Sequence, residues 1–132
     1  MEASCQCGQL KVRVPGPTAA VVACHCIDCQ RRTGSPFGVA AYYPDDQVRV
    51  EGPSKRFVRK TALGGDFENF FCPECGATVY FRGSKNVGVT GVAIGAFVDA
   101  HAMAPIRSVW EQSMHPWVTI PTAANHFPQG RT

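Results

Sequence analysis

Long apolar runs are missing from this 132-residue sequence, and so is the pattern of a secretory signal. No stretch approaches the roughly 20 apolar residues that a membrane helix needs. The first residues show no basic segment followed by an apolar one, which is how a signal peptide begins. We therefore expect a soluble, cytoplasmic protein with no membrane partner. In that reducing compartment, cysteines more often bind metals or react than form disulfides.

Charged residues are also few, at 17% of the chain, with a formal net charge of +3. That count treats the seven cysteines as neutral. Seven thiolates around two Zn²⁺ ions would add a net charge of about −3 and cancel it. A nucleic-acid partner is therefore not expected. One basic cluster could bind phosphate, although a solvated strand face is the simpler interpretation; it consists of Lys55, Arg56, Arg59 and Lys60.

Thirteen glycines and ten prolines are typical of short strands joined by tight turns rather than of a helical protein. The length suits one domain, which we place at residues 1–132. We predict an all-β fold, mainly antiparallel, with at most one short helix, over residues 27–32. Strands are predicted at residues 9–14, 19–23, 37–43, 47–51, 55–60, 67–71, 77–82 and, interrupted by glycines, 87–97.

The seven cysteines fall into three short groups, and their odd number rules out complete disulfide pairing. The first group is Cys5 and Cys7, followed by Gly8, and the last is Cys72 and Cys75, followed by Gly76. Between them lies the third group, Cys24, Cys26 and Cys29. Pairs at this spacing bring two sulfurs onto one ion about 2.3 Å away, and the glycine relieves the turn. The pattern predicts metal binding.

Counting ligands suggests how the seven sulfurs divide. Zinc takes four ligands in a structural site and often three plus an exchangeable group in a catalytic site. The two glycine-followed pairs make a natural closed site, which leaves the central trio with one open coordination position. A rival division closes the trio with a histidine. His25 points away if its segment is extended, and each of the others is expected to be an ordinary surface or core residue: His101, His115 and His126.

Four residues soon after the trio are candidate substrate contacts. Arg31 and Arg32 could offset the negative charge of zinc thiolates and hold an anionic substrate. Ser35 and Phe37 follow closely enough to line a pocket over the metal. The alternative is that the arginines are exposed, the serine belongs to a turn and the phenylalanine packs in the core.

Three motifs together resemble the glutathione-dependent formaldehyde-activating enzyme family, which includes centromere protein V. They are Cys-x-Cys-Gly at the start, Cys-His-Cys-x-x-Cys-x-Arg-x-x-Gly-Ser-x-Phe over residues 24–37, and Phe-Cys-x-x-Cys-Gly over residues 71–76. The tail, with Asp99, Pro105, Trp110 and Trp117, is also similar to the end of the family's sequences.

The resemblance implies a β-tent zinc fold with two Zn²⁺ per chain. It implies a structural zinc on Cys5, Cys7, Cys72 and Cys75 and a catalytic zinc on Cys24, Cys26 and Cys29. The family's founding activity adds glutathione to formaldehyde to give S-hydroxymethylglutathione, which is a carbon–sulfur lyase reaction in reverse. The expected partner is therefore a small thiol such as glutathione.

Three hypotheses follow. The first is a zinc-dependent carbon–sulfur lyase that acts on thiol–aldehyde adducts, and the open trio favours it. The second is a binding module without catalysis, which would need a surface such as the basic cluster. The third is a scaffold in which both zinc ions are closed by protein ligands.

Overall fold

The computed structural model describes residues 1–100 and 103–130, and most of its regular structure is β-sheet. Its one α-helix in these ranges is α1 (Ile27–Thr33). Short 3-10 helices cover Asp45–Gln47, Ile94–Ala96 and Glu111–Ser113. The strands are β1 (Glu2–Ser4), β2 (Lys11–Arg13), β3 (Val21–Cys24), β4 (Gly38–Pro44), β5 (Arg49–Glu51), β6 (Lys55–Lys60), β7 (Asp66–Phe71), β8 (Thr78–Gly83), β9 (Val89–Ala93), β10 (Arg107–Val109) and β11 (Asn125–His126).

The strands form two sheets. Three strands make the smaller one, in the order β1-β2-β5, and eight make the larger, in the order β11-β10-β3-β4-β9-β8-β7-β6. Every pairing is antiparallel except that β10 runs parallel to both β3 and β11. The predicted all-β, mainly antiparallel fold is confirmed.

The two faces of the larger sheet take part in different regions of the structure. On one face Ala41, Tyr43 and Val92 join Val12 of the smaller sheet in the main hydrophobic core. The opposite face follows from the register of the strands, because paired residues share a face. Cys24 pairs with Gly38, and Tyr42 pairs with Gly91, which in turn pairs with Phe81. This second face forms the floor of the site described below.

Helix α1 matches its prediction to within one residue. It ends at Gly34, whose φ of 64° is the left-handed conformation that glycine adopts at low cost. The helix has only seven residues. In the described parts of the chain, no helix has the length and apolar character needed to span a membrane.

Three parts of the strand prediction differ from the structure. No strand is predicted before residue 9, yet the three residues of β1 pair with β2 there. The strand predicted over residues 87–97 ends at Ala93 and continues as a 3-10 turn, because Gly95 breaks the extended backbone. No strand is predicted in the tail, yet β10 and β11 lie there. Both are very short and are held by backbone pairing at the β3 side of the sheet, so they carry no alternating pattern to detect.

Gly52 follows β5 and fits against the backbone of the first cysteine loop. Its φ is +91°, and a Cβ there would lie 1.8 Å from the carbonyl oxygen of Gln9. We predict that Gly52→Ala lowers the free energy of unfolding by at least about 2 kcal/mol, because both strain and overlap must be relieved. Urea unfolding measures this.

The matched control is Gly16→Ala. Gly16 lacks a positive φ, and a Cβ added there would have no atom within 4 Å. Its substitution should change stability by no more than about 0.5 kcal/mol. Equal stability of the two variants would contradict the packing of Gly52 on Gln9.

Candidate metal centres and the adjoining cavity

The structure brings four cysteines together from opposite ends of the first 75 residues. The sulfur atoms of Cys5, Cys7, Cys72 and Cys75 all lie within 4.8 Å of one another. Two of the distances are 3.6 Å, from Cys7 to Cys5 and from Cys7 to Cys72. The group could hold a metal ion, and it would join the N-terminus to the turn between β7 and β8.

The two halves of this group are similar tight loops. In one, the Cys5 N–H donates to Leu10 O at 2.9 Å, and in the other, the Cys72 N–H donates to Ala77 O at 3.0 Å. Gly8 and Gly76 have φ values of 87° and 78°, as predicted for glycines that relieve such turns. Backbone hydrogen bonds from Ala77 and Cys7 lower the pKa of the Cys75 thiol to about 6. At Cys75 these backbone donors therefore favour the thiolate, which is the form that binds metals.

The second group is compact in sequence and lies where β3 passes into α1. Cys24 is the last residue of β3, Cys26 is the N-cap of the helix, and Cys29 lies in its first turn. Their sulfurs also lie within 4.8 Å of one another, and in residues 1–100 and 103–130 no other histidine, cysteine or carboxylate atom joins them. This group too could hold a metal ion.

The charge state of the trio reflects its crowding. Hydrogen bonds from the Cys24 and Cys29 thiols lower the pKa of Cys26 to about 2, and the Cys29 backbone N–H donates to the same sulfur at 3.3 Å. The same contacts raise the pKa of Cys24. Without a cation, three sulfurs at this separation cannot all ionise, because like charges oppose one another.

The described histidines are engaged elsewhere. His25 is fully buried, with Nε2 at 2.9 Å from the Ser108 hydroxyl and its ring against Phe37. His115 Nε2 lies 3.1 Å from Gln30 Oε1, and His126 Nδ1 lies 2.7 Å from a Glu111 carboxylate oxygen. None belongs to either sulfur group. His101 lies outside the described residues.

A cavity of about 400 Å³ opens beside the trio. All three cysteines line it, on the sheet face that carries Ala40 and Tyr42. Its far side comes from β6, β7 and β8 and from the segment after β10. A ligand atom bound to the trio could therefore belong to a molecule of moderate size.

Of the four predicted substrate contacts, Arg32 lines this cavity. Its guanidinium carbon lies 4.8 Å from the centre of the Phe81 ring, and Gly38 leaves the room that it needs. Arg31 does not line the cavity, because adjacent residues of a helix point in different directions. Ser35 and Phe37 line a separate groove of about 670 Å³, which Arg32 and Cys75 also border.

Sequence reasoning missed several cavity residues. The basic cluster is interpreted above as a solvated strand face, yet the Arg59 side chain is 17% exposed and its Nη1 lies 3.3 Å from Asp28 Oδ2. Its guanidinium also lies 4.6 Å from the Phe67 ring centre. The other members of the basic cluster are more exposed, and two of them pair with carboxylates of β7. No sequence signal distinguishes Arg59 from its neighbours. It lies at the cavity because the register of β6 pairs it with Phe67.

Tyr42 and Trp110 are not predicted as cavity residues either, although Trp110 belongs to the tail that resembles the family. Tyr42 lines the cavity, and burial raises the pKa of its hydroxyl to about 12, so it stays protonated at neutral pH. Its hydroxyl has no hydrogen-bond partner among the described residues, whereas Tyr43 donates to Gly16 O at 2.8 Å. Trp110 has a φ of 60°, the one positive value among described residues other than glycine.

Comparisons with known proteins agree with the motifs. The family model described as glutathione-dependent formaldehyde-activating enzyme matches residues 1–113. The chain is also similar to a crystal structure of a Rhodobacter sphaeroides protein, with 21% sequence identity and a TM-score of 0.57. That similarity covers 74% of this chain and 88% of the other, and at this identity it is evidence of the fold alone. No curated protein matches the chain.

The two sulfur groups should differ in what they do for stability. The four-cysteine group links segments 65 or more residues apart, whereas the trio spans six. We predict that Cys5→Ser unfolds or aggregates the protein, because a metal there contributes directly to folding. Cys26→Ser should lose one metal and leave a folded chain. Metal analysis and thermal unfolding of the two variants measure this, and equal destabilisation would contradict the division.

Proposed function

This chain belongs to the glutathione-dependent formaldehyde-activating enzyme family, and we propose that it is a zinc-dependent carbon–sulfur lyase. In this proposal it joins a small thiol such as glutathione to a small aldehyde such as formaldehyde, and splits the adduct in reverse. The observation that carries the proposal is the trio of Cys24, Cys26 and Cys29, which faces a cavity with no fourth ligand among the described residues. A cytoplasmic setting, where thiols stay reduced, suits this chemistry.

The donor sets fit zinc. Four sulfurs placed tetrahedrally about 2.3 Å from one ion lie about 3.8 Å apart. The 3.6 Å separations at Cys7 are close to that value. All-thiolate donor sets favour zinc over the hard cations magnesium and calcium. We propose a structural zinc on Cys5, Cys7, Cys72 and Cys75 and a catalytic zinc on the trio.

Cys24, Cys26 and Cys29 would hold a zinc ion, which would supply a coordination position for the substrate thiol and lower its pKa toward neutral pH. The protein's own cations suit an anionic thiol. Arg32 of α1 and Arg59 of β6 both line the cavity, where Arg59 also pairs with Asp28. A guanidinium binds carboxylates through paired hydrogen bonds, and glutathione carries two carboxylates. These arginines would orient the thiol and offset the negative charge of the sulfurs.

Tyr42 is the candidate donor to the aldehyde. In the addition, the thiolate sulfur attacks the carbonyl carbon, a carbon–sulfur bond forms and the carbonyl π pair moves to oxygen. That oxygen takes up a proton, which balances the proton that the thiol has lost. The Tyr42 hydroxyl lines the cavity without a partner in the described chain, so it is available to donate a hydrogen bond to this oxygen as charge develops there.

Exchange between free formaldehyde and its glutathione adduct, followed by NMR, tests the activity. The adduct forms spontaneously, so the quantity to measure is the exchange rate against protein concentration. We expect the zinc-loaded protein to raise this rate in proportion to its concentration, and Cys26→Ser to return it to background. No increase with glutathione or with several other thiols and aldehydes would overturn the proposal in favour of a non-catalytic zinc scaffold.

Tyr42→Phe should separate catalysis from metal binding. Removing one hydrogen-bond donor to a developing oxyanion costs about 10²-fold in kcat, and we expect a loss of that order with zinc content unchanged. Tyr43→Phe is the matched control, because the Tyr43 hydroxyl bonds to Gly16 O on the core side of the same strand. It should lower stability and spare kcat. Equal rates for the two variants would exclude Tyr42 as the donor.

A further inference from the structure

A second, smaller cavity adjoins the one beside the trio. Its volume is about 220 Å³, and it lies farther along the same face of the larger sheet. Five residues line both cavities, so the two form adjacent lobes around shared side chains: Tyr42, Thr61, Phe67, Phe81 and Trp110. We call the cavity with the three cysteines the sulfur lobe and the other the aromatic lobe.

The two lobes differ in chemistry. The sulfur lobe holds the cysteines and both arginines. The aromatic lobe contains neither. Leu63 and Val89 extend its apolar wall, Gly83 leaves its floor open, and Asp66, Lys85 and Asn86 also line it, so its lining is mainly but not wholly apolar. An apolar cavity of about 150 Å³ is large enough to bind benzene. The aromatic lobe is therefore large enough for a ring-sized apolar group.

Trp110 stands between the lobes on a constrained backbone. Its φ of 60° is unfavourable for a residue with a side chain. Two hydrogen bonds hold it there: its N–H donates to Gln129 O at 2.8 Å, and its carbonyl accepts from the Ser113 N–H at 3.2 Å. Strain of this kind persists where the surroundings enforce it, often at ligand sites.

We infer that the aldehyde partner carries an apolar substituent of about the size of a benzyl group, and that this substituent occupies the aromatic lobe. This inference rests on the proposed function and names its substrate class. Formaldehyde has no substituent and would leave the lobe unfilled. The charged ends of the thiol suit the arginines of the sulfur lobe, which leaves the mainly apolar aromatic lobe to the other reactant.

The reaction is the same addition. The thiolate sulfur bonds to the carbonyl carbon, the π pair moves to oxygen, and that oxygen gains a proton equivalent to the one the thiol lost. The substituent on the carbonyl carbon takes no part in the bond changes. It contributes binding energy and places the carbon between the sulfurs and the Tyr42 hydroxyl.

Filling the aromatic lobe tests the inference by kinetics. A Cβ at Gly83 would lie 3.5 Å from Phe67, which is ordinary contact, so a larger side chain there extends into the lobe. We expect wild-type protein to prefer phenylacetaldehyde to formaldehyde in kcat/KM. Gly83→Leu should remove that preference by about 10- to 100-fold, the range that hydrophobic pockets give, and leave the formaldehyde rate unchanged.

Two further variants distinguish filling of the lobe from a general effect of Gly83→Leu on folding. Val89→Phe fills the same lobe from β9, and Gly16→Leu places the same leucine at a distant bend where an added Cβ would meet no atom within 4 Å. The first should reproduce the effect of Gly83→Leu and the second should behave as wild type. A wild-type protein that turns over formaldehyde as well as phenylacetaldehyde would overturn the inference and leave the proposed function standing.

A binding measurement tests occupation of the aromatic lobe separately from the proposed lyase activity. The chain has two tryptophans, so Trp117→Phe leaves Trp110 as the single fluorescent indole at the lobe. In this background we expect 2-phenylethanol to change the fluorescence saturably, methanol to have no effect, and Gly83→Leu to abolish the response. Binding without turnover of any aldehyde would support the aromatic lobe as a site for apolar groups and would contradict the proposed function. No saturable binding would overturn the inference.

Discussion

Four sulfur atoms that converge from residues 5–7 and 72–75 constrain the rest of the structure. Thiolates this close repel one another unless a cation lies among them. With a cation, the same four groups hold the first loop against the turn between β7 and β8. The smaller sheet then stays on the larger one, and Val12 stays in the common core. This arrangement gives a domain of modest core a covalent-like link between its N-terminal loop and the middle of the chain.

The second sulfur group uses a different principle. Its ligands come from one strand end and one helical turn, so it closes almost no chain and is free to serve a ligand. Its surroundings are fixed from outside: His25 bonds to Ser108 on β10, and Gln30 Nε2 donates to the carbonyls of His25 and Ser113 at 2.9 and 3.1 Å. The helix is thereby tied to the C-terminal segment that carries Trp110. We propose that stability depends on one group of cysteines and reactivity on the other.

Local signals in the sequence predict the sulfur groups, whereas the cavity beside the trio depends on long-range structure. Cysteine spacing and the following glycines group the seven sulfurs as the structure groups them. The cavity depends on strand register, since a slip of one residue would turn Arg59 or Phe81 to the other face. Adjacent helical residues point about 100° apart, so the motif could not distinguish Arg31 from Arg32. Tyr42 belongs to no motif, and the resemblance of the tail gives Trp110 no position; only the fold places the two residues beside the trio.

The central claim is that one metal has an open position which a thiol fills, and X-ray absorption at the zinc edge measures this most directly. With four sulfurs at one site and three at the other, we predict an average of about 3.5 sulfurs per zinc, with lighter atoms completing the shell. Adding glutathione should raise the average to about four. Four sulfurs before any thiol is added, or a nitrogen-containing shell that glutathione leaves unchanged, would contradict the claim.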